Sequence, residues 1–401
     1  MEVELDGQSG WGEKEMIESI YIKNFKSLNA VELKLEKFNC LIGMNGSGKS
    51  TILQALDFLS QLMIGQIQGW LDARGWKSHD LNCKLGKESI LTLAVDYKTS
   101  SGQKCHWIGF FHRGTLRCMT ESFWVDGEEV FSTTSRSFWF KGKGRMGISF
   151  VFQGSLLSAL KDSELSEPVK AFRDAVRKIR SLELLSPQMM RKRARTNDQD
   201  IGAGGEKLSA FLHSIKGEHR DRLLGMLKSF YPNLLDFKIT SQKAGWKKLS
   251  VIEAFQDQKL ETEATHLNDG LLRILAVLAQ SESDRSLILL DEIENGINQE
   301  IVEKLVDTLV ASQQQILVTT HSPLILNYLD DDTAKQSVQF IYKTPQGLSK
   351  IRHFFDIPRI GEKLRYMGPG DAFVDTDLAA LAQECIELDL ASQEAQPGSR
   401  A

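Results

Sequence analysis

The segment Gly43-Met44-Asn45-Gly46-Ser47-Gly48-Lys49-Ser50-Thr51 fits the pattern G-x-x-x-x-G-K-[ST]. An apolar run ending in Leu41 and Ile42 precedes it, and an amphipathic run over 52–59 follows. Strand, glycine loop and helix in that order are the context a phosphate-binding P-loop requires, and no other feature constrains the fold as strongly. Gly43, Gly46 and Gly48 let the backbone curl until its N–H groups point at phosphate oxygens. The helix N-terminus adds partial positive charge. Asn45, Gly46, Ser47, Gly48, Lys49, Ser50 and Thr51 are therefore expected to hold a nucleotide. Lys49 would reach the β- and γ-phosphates and the Ser50 hydroxyl would ligate Mg²⁺, so ATP and Mg²⁺ are the expected cofactors.

At 401 residues the chain suggests two or three domains, or one large α/β domain with insertions. A formal net charge of −4 argues neither for nor against nucleic acid. The five cysteines, Cys40, Cys83, Cys105, Cys118 and Cys385, are scattered and form no C-x-x-C pair. That spacing fits neither a zinc site nor a disulfide framework, and points to a reduced, cytoplasmic compartment. The polar, acidic N-terminus is no signal peptide. No apolar run approaches the ~20 residues that span a bilayer, so no membrane partner is expected.

A second set of motifs lies far downstream. Ser286-Leu287-Ile288-Leu289-Leu290-Asp291-Glu292 is an apolar strand ending in two carboxylates. A buried strand delivering Asp291 beside a P-loop holds Mg²⁺ through its water shell, as in a Walker B motif. Glu292, one residue on, is placed to polarise an attacking water. The bland alternative is a solvated acidic pair at a strand end. Ile316-Leu317-Val318-Thr319-Thr320-His321-Ser322-Pro323 is another strand with a polar end, and Pro323 suits the first turn of a helix. His321 there can hydrogen-bond a γ-phosphate or orient water, although a lone histidine is more often structural. Glu294-Asn295-Gly296-Ile297-Asn298 reads as a turn before a helix, and Asn268-Asp269-Gly270 opens a helix over 271–280 whose N-terminus suits phosphate.

The order P-loop, long middle, L-N-D-G-L-L-R, L-I-L-L-D-E, E-N-G, T-T-H-S-P resembles an ABC-type ATPase head of the SMC/RecF/OLD branch. The start, Ile20-Tyr21-Ile22-Lys23-Asn24-Phe25-Lys26-Ser27-Leu28, is similar to that branch's N-F-K-S segment, which transporter ATPases generally lack. The resemblance spans about residues 16–380. It implies an α/β ABC-ATPase head with a mixed central sheet, an antiparallel β-subdomain and an inserted helical lobe. It also implies that Asn268 and Gly270 belong to a signature motif meeting the γ-phosphate of ATP held by another subunit, that Asn295-Gly296 is the D-loop and that His321 is the switch histidine. A homodimer or higher homo-oligomer follows. The signature commonly starts with Ser. Asn268 departs from that, though an amide still donates to phosphate. Such heads also use a glutamine on the metal and the water. Gln153, within Phe150-Val151-Phe152-Gln153-Gly154-Ser155, is the candidate, with a surface glutamine before a turn as the alternative.

Residues 88–152 alternate apolar and polar positions between Gly and Asp turns, which reads as antiparallel hairpins. The aromatics Trp107, Phe110, Phe111, Phe123, Trp124, Phe138, Trp139 and Phe140 read as sheet core, with a base-stacking surface as the other option. Residues 156–232 read as helical and are too short for the coiled-coil arms of SMC proteins. The expected division is an N-terminal lobe over 16–155, a helical insertion over 156–240, a C-terminal lobe over 241–380 and a disordered tail over 391–401. The piece 182–215 resembles the lobe of compact ATPases without a Toprim domain, typical of OLD-like and of Septu- or retron-associated anti-phage systems. The basic run Met190-Arg191-Lys192-Arg193-Ala194-Arg195-Thr196 suits a nucleic-acid backbone or, equally, a solvated loop. Residues 340–378 read as strands and turns before a helix over 378–390. Asp375 and Asp377 read as helix N-terminal acids, because about 60 residues without βα alternation cannot make a Toprim nuclease.

No effector domain is visible. The resemblance therefore implies an ATP-hydrolysing engine, with slow turnover an option, that controls a separately encoded nuclease or toxin in anti-phage defence. A RecF-like, ATP-gated DNA-binding repair protein is the alternative.

Overall fold

The computed structural model describes residues 15–195 and 200–394. The chain forms two compact units, each discontinuous in sequence: Met1–Leu35 with Phe58–Arg177, and Glu36–Asp57 with Lys178–Ala401.

The first unit is built on an eight-stranded antiparallel sheet. Its order is Val31–Lys34, Met16–Lys23, Ile90–Lys98, Lys104–His112, Arg117–Val125, Glu128–Thr133, Ser137–Phe140, Gly144–Gly147. Side chains alternate across a strand, so every second residue faces the same side. Trp107, Phe111, Phe123, Phe138 and Phe140 are buried, whereas Phe110, Trp124 and Trp139 are half-buried. The buried set is core, as the alternation predicts. The helix Glu167–Arg177 covers part of it, placing Phe172 within 5.0 Å of Phe123 and 6.0 Å of both Tyr97 and Trp107, ring centre to ring centre.

The N-F-K-S segment has a structural task in this unit. Asn24 adopts a left-handed φ of 66°, a conformation Asn tolerates better than most residues. Its amide donates to Glu88 O and Ile90 O and its oxygen accepts from Cys83 N–H. One buried side chain thus fastens the end of the strand Met16–Lys23 to the segment entering Ile90–Lys98.

Glu121 lies fully inside this unit and accepts from Trp107 Nε1 at 3.2 Å, from Leu156 N–H at 2.6 Å and from the Ser155 hydroxyl. Burial pushes its carboxyl from 4.5 up to about 7, against the pull of these donors.

The second unit holds a six-stranded mixed sheet in the order Arg180–Ser181, Leu287–Leu290, Gln315–Thr319, Phe38–Ile42, Val338–Lys343, Ser349–His353. The first five run parallel and the last is antiparallel. Parallel strands covered on both faces read as continuous apolar runs, and Leu287–Leu290 and Gln315–Thr319 are buried at every position. A three-stranded antiparallel sheet, Leu234–Ser241, Lys247–Phe255 and Gln258–Glu263, completes the unit.

Several local expectations change. Residues 156–232 are helical in pieces, with Glu167–Arg177, Pro187–Met190, Leu208–Ser214 and Glu218–Phe230 separated by loops and the short strand Arg180–Ser181. The stretch after Ser349–His353, expected as turns, contains the short helices Pro358–Lys363 and Pro369–Val374, each starting on proline at its first turn. Asp377 caps the last helix by accepting from Ala379 and Ala380 N–H. Asp375 does not; it ends the preceding helix and pairs with Lys363 at 3.0 Å. That last helix runs Leu378–Glu394, four residues beyond the expected end. Residues 395–401 of the expected tail, the N-terminal 1–14 and Thr196 of the basic run lie outside the described residues.

Phe172→Ala removes a ring from the first unit's core and is expected to cost roughly 3–5 kcal/mol, read from denaturant unfolding. Glu121 gives the same unit a pH dependence. Its native carboxyl keeps a proton that the unfolded chain releases near 4.5, so stability falls as pH rises from there through about 7. Urea midpoints at pH 5 and pH 8 should therefore differ less in Glu121→Gln than in the parent.

Candidate nucleotide site

Three parallel strands bring the motifs of the second unit to one edge. Leu287–Leu290, Gln315–Thr319 and Phe38–Ile42 are neighbours in that order, so Asp291, Thr320 and Gly43 all leave the sheet at its carboxyl edge. In open α/β sheets that edge is where ligands bind.

The glycine loop is tightly held. Gly43 has φ +149° and a Cβ there would sit 2.3 Å from Ile341 O, so the strand Val338–Lys343 leaves room for glycine alone. Gly46 and Gly48 have φ of 74° and 120°. Ser349 Oγ donates to Ser47 O at 2.6 Å, which pins the loop from the sheet's edge strand. Ser47 Oγ is buried without a hydrogen-bond partner, as expected of a donor in a loop that wraps phosphate.

Lys49 opens the helix Lys49–Ile64 and is 6% exposed. Its ammonium donates to Gly43 O at 2.8 Å and Met44 O at 3.2 Å. Burial lowers its pKa, opposed by the negative field of Asp291, Glu292 and Glu294. The lysine is thus folded over its own loop and faces all three carboxylates of the Walker B turn. Asn45 and Gly46 are exposed, and Gly48, Ser50 and Thr51 are half-buried at the helix start.

Thr319 ties the Walker B turn to the neighbouring strand, a role no sequence pattern assigned to it. Its hydroxyl donates to Asp291 Oδ1 at 2.5 Å and accepts from Glu292 N–H at 2.9 Å. Glu292 sits at a left-handed φ of 46°, a costly conformation for such a side chain that persists only where neighbours hold it. Its carboxylate lies 3.8 Å from His321 Nε2 and 3.4 Å from Asn295 Nδ2. Glu294, also unassigned from sequence, accepts from His321 N–H at 2.9 Å. The residues Asp291, Glu292 and His321 are therefore brought together as the sequence led one to expect.

Asn268 begins the helix Asp269–Ser281 by accepting from Leu271 N–H at 2.7 Å, which moves its start two residues ahead of the expected 271. A Cβ on Gly270 would lie 3.0 Å from Gly296 O, so this helix start and the turn at Asn295-Gly296 pack closely. Gln153 belongs to the first unit, where its Oε1 accepts from Gln68 N–H at 3.0 Å.

The donors available for a cation are hard oxygens, the Ser50 hydroxyl and the Asp291 carboxylate, and suit Mg²⁺ held jointly with phosphate. Among the described residues no group of three or more His, Cys, Asp or Glu side chains forms a metal cage of its own.

Comparison with known proteins agrees with this geometry. An "AAA ATPase domain" family model matches residues 16–108 and one described as "AAA domain, putative AbiEii toxin, Type IV TA system" matches 156–327. Together they take in the P-loop, the Asn268 helix, the Walker B strand and His321. AAA-family ATPase domains thus match two separate stretches of the chain, neither of them half of its length. Its fold is that of an SMC head. The SMC head solved bound to the C-terminal winged-helix domain of ScpA matches with a TM-score of 0.55 and 14% identity, over 84% of this chain and 97% of that one. An SMC head with an extended coiled coil, bound to the C-terminal domain of ScpA and derived from Pyrococcus furiosus, gives 0.50 and 13%, over 88% and 100%. RecF, a DNA replication and repair protein, from two strains of Porphyromonas gingivalis is 50% identical over 46 residues, 11% of this chain. The match spans 13% of the length of those RecF relatives. No described helix is long and apolar enough to cross a membrane.

The cap at Asn268 yields a direct expectation. Asn268→Ala should destabilise the second unit by roughly 0.5–2 kcal/mol, whereas Asn268→Ser should stay near the parent, because Ser caps as well as Asn. Thermal unfolding of the three proteins reads the difference.

Proposed function

We propose that the chain is an ATP-hydrolysing engine that works as a homodimer, two copies facing head-to-tail around two ATP–Mg²⁺. The observation that carries this reading is the meeting of Lys49, Asp291, Glu292 and His321 at one sheet edge. Lys49 exchanges its loop carbonyls for the β- and γ-phosphates, and the loop N–H groups with Asn45, Gly46, Ser47, Gly48 and Thr51 surround the phosphate chain. Ser50 and Asp291 would hold Mg²⁺. When bound between these residues it would supply positive charge against that developing on the phosphoryl oxygens. Glu292 accepts the proton of the attacking water, and its strained backbone and the 3.8 Å approach of His321 keep it aimed. Asn268 and Gly270 of the second copy meet the γ-phosphate, so closing and hydrolysis are coupled as a population shift.

The chain then governs a separately encoded effector, a nuclease or toxin, in anti-phage defence. The AbiEii and Type IV toxin–antitoxin description of the matching family supports this setting.

One observation favours the RecF-like alternative. Lys247 N–H bonds Ala194 O, joining 191–195 to the turn before Lys247–Phe255. Arg193, Arg195, Lys243 and Trp246 then share an exposed face, with Arg195 4.7 Å above the Trp246 ring. Salt-sensitive DNA binding that requires ATP selects that alternative; DNA binding that ignores ATP, or its absence, selects effector control.

The test of the engine is turnover. Glu292→Gln is expected to lower ATP hydrolysis by about 10²–10⁴-fold while ATP is still bound. Lys49→Ala is expected to abolish binding itself. Turnover in Glu292→Gln equal to the parent would remove Glu292 from its role.

A further inference from the structure

We infer that Arg191 is a positioning residue of the segment that faces the second subunit's phosphate, neutralising Asp269 and fixing the main chain around Asn268. The inference rests on the two-subunit reading above.

The helix Asp269–Ser281 starts with a carboxylate. That charge suits the helix's own dipole but opposes the approach of a triphosphate to Asn268. Asp269 is exposed, its side chain at 57%. An Arg191 guanidinium nitrogen lies 2.6 Å from Asp269 Oδ1 and 2.7 Å from Leu267 O. One side chain therefore cancels the carboxylate and holds the carbonyl on the other side of Asn268. On the helix side Asn268 Oδ1 takes Leu271 N–H. The short segment is thus fixed at both ends, and the Asn268 amide nitrogen is left for a ligand.

Arg191 is itself anchored. Met190 is fully buried, and a Cβ on Gly205 would lie 2.3 Å from Met190 Cγ, so the packing there is close. Arg191 N–H bonds Pro187 O at 3.1 Å, Ala194 N–H bonds Ser209 Oγ at 3.1 Å and Lys247 N–H bonds Ala194 O at 2.8 Å. The guanidinium is a fixed point to which the Asn268 segment is tied. An exposed ion pair alone contributes little; the shared bond to a main-chain carbonyl and the place of the pair beside Asn268 set this one apart.

The experiment measures ATP–Mg²⁺-dependent dimer assembly by analytical ultracentrifugation. The parent is Glu292→Gln, compared with the same protein carrying Arg191→Ala, Arg191→Lys, Asp269→Asn, or Arg191→Ala with Asp269→Asn. Binding of a fluorescent ATP analogue to the monomer and melting temperatures are read alongside. Arg191→Ala is expected to weaken assembly by about 10- to 100-fold, with monomer binding and melting unchanged. Asp269→Asn should recover most of that loss in the double variant, because the repelling charge is gone, and Arg191→Lys should fall between. Should Arg191→Ala melt early, Arg191→Lys beside its double variant with Asp269→Asn decides the question. Assembly of Arg191→Ala equal to the parent overturns the inference. So does a double variant no better than Arg191→Ala alone, since a purely structural strut is not rescued by removing a charge. A parent that fails to assemble with ATP, while the monomer binds it, refutes the two-subunit reading, and the inference falls with it.

Discussion

The Thr319 hydroxyl is the interaction on which the site's geometry depends. It donates to Asp291 and accepts from Glu292 N–H, so one oxygen on the strand Gln315–Thr319 positions both acidic residues of the neighbouring strand. Glu294 returns the link by accepting from His321 N–H. Two strand ends are thereby laced into one rigid corner. The lacing also explains how Glu292 is held at φ 46°, since strain of that kind lasts only where surrounding bonds over-determine it. The glycine loop is fixed independently, by the tight fit of Gly43 against Ile341 O and by the bond from Ser349 to Ser47 O.

This arrangement makes the electrostatics of the corner self-consistent. Burial works against the charge on Lys49, and the three carboxylates of the Walker B turn work for it. The lysine donates to Gly43 O and Met44 O, and these bonds keep a charged group inside. Phosphate oxygens are stronger partners for the same ammonium. Nucleotide binding thus replaces bonds already present and requires no lysine to be carried in from water.

The contiguous motifs were legible because each needs only a strand, a turn and a few residues in fixed order. The P-loop, Asp291-Glu292 and His321 could all be found that way. The antiparallel sheet was legible from alternation, whereas the mixed sheet was expected only through the resemblance to an ABC-type head. What was hidden depends on contacts between distant residues. Ser349 and Ser47 are 302 positions apart, and Arg191 and Asp269 are 78 apart. No local pattern marks such pairs, and Arg191 in a run of cations reads as a nucleic-acid contact or as solvated charge. The helices Pro358–Lys363 and Pro369–Val374 were missed for another reason. Six residues are too few for a 3.6-residue period to register, and the proline at the start of each was the one available signal. The interleaving of the two units also escaped a linear reading, because the break after Asp57 falls inside the helix Lys49–Ile64.

The central claim is that ATP joins two of these heads. The most direct test is the solution mass of Glu292→Gln with and without ATP–Mg²⁺, with Lys49→Ala as the unliganded control. The account predicts a monomer without nucleotide, a stable dimer with it and no dimer in Lys49→Ala. A mass that ignores ATP in Glu292→Gln, while the protein binds the nucleotide, would contradict it and leave a nucleotide-binding scaffold in its place.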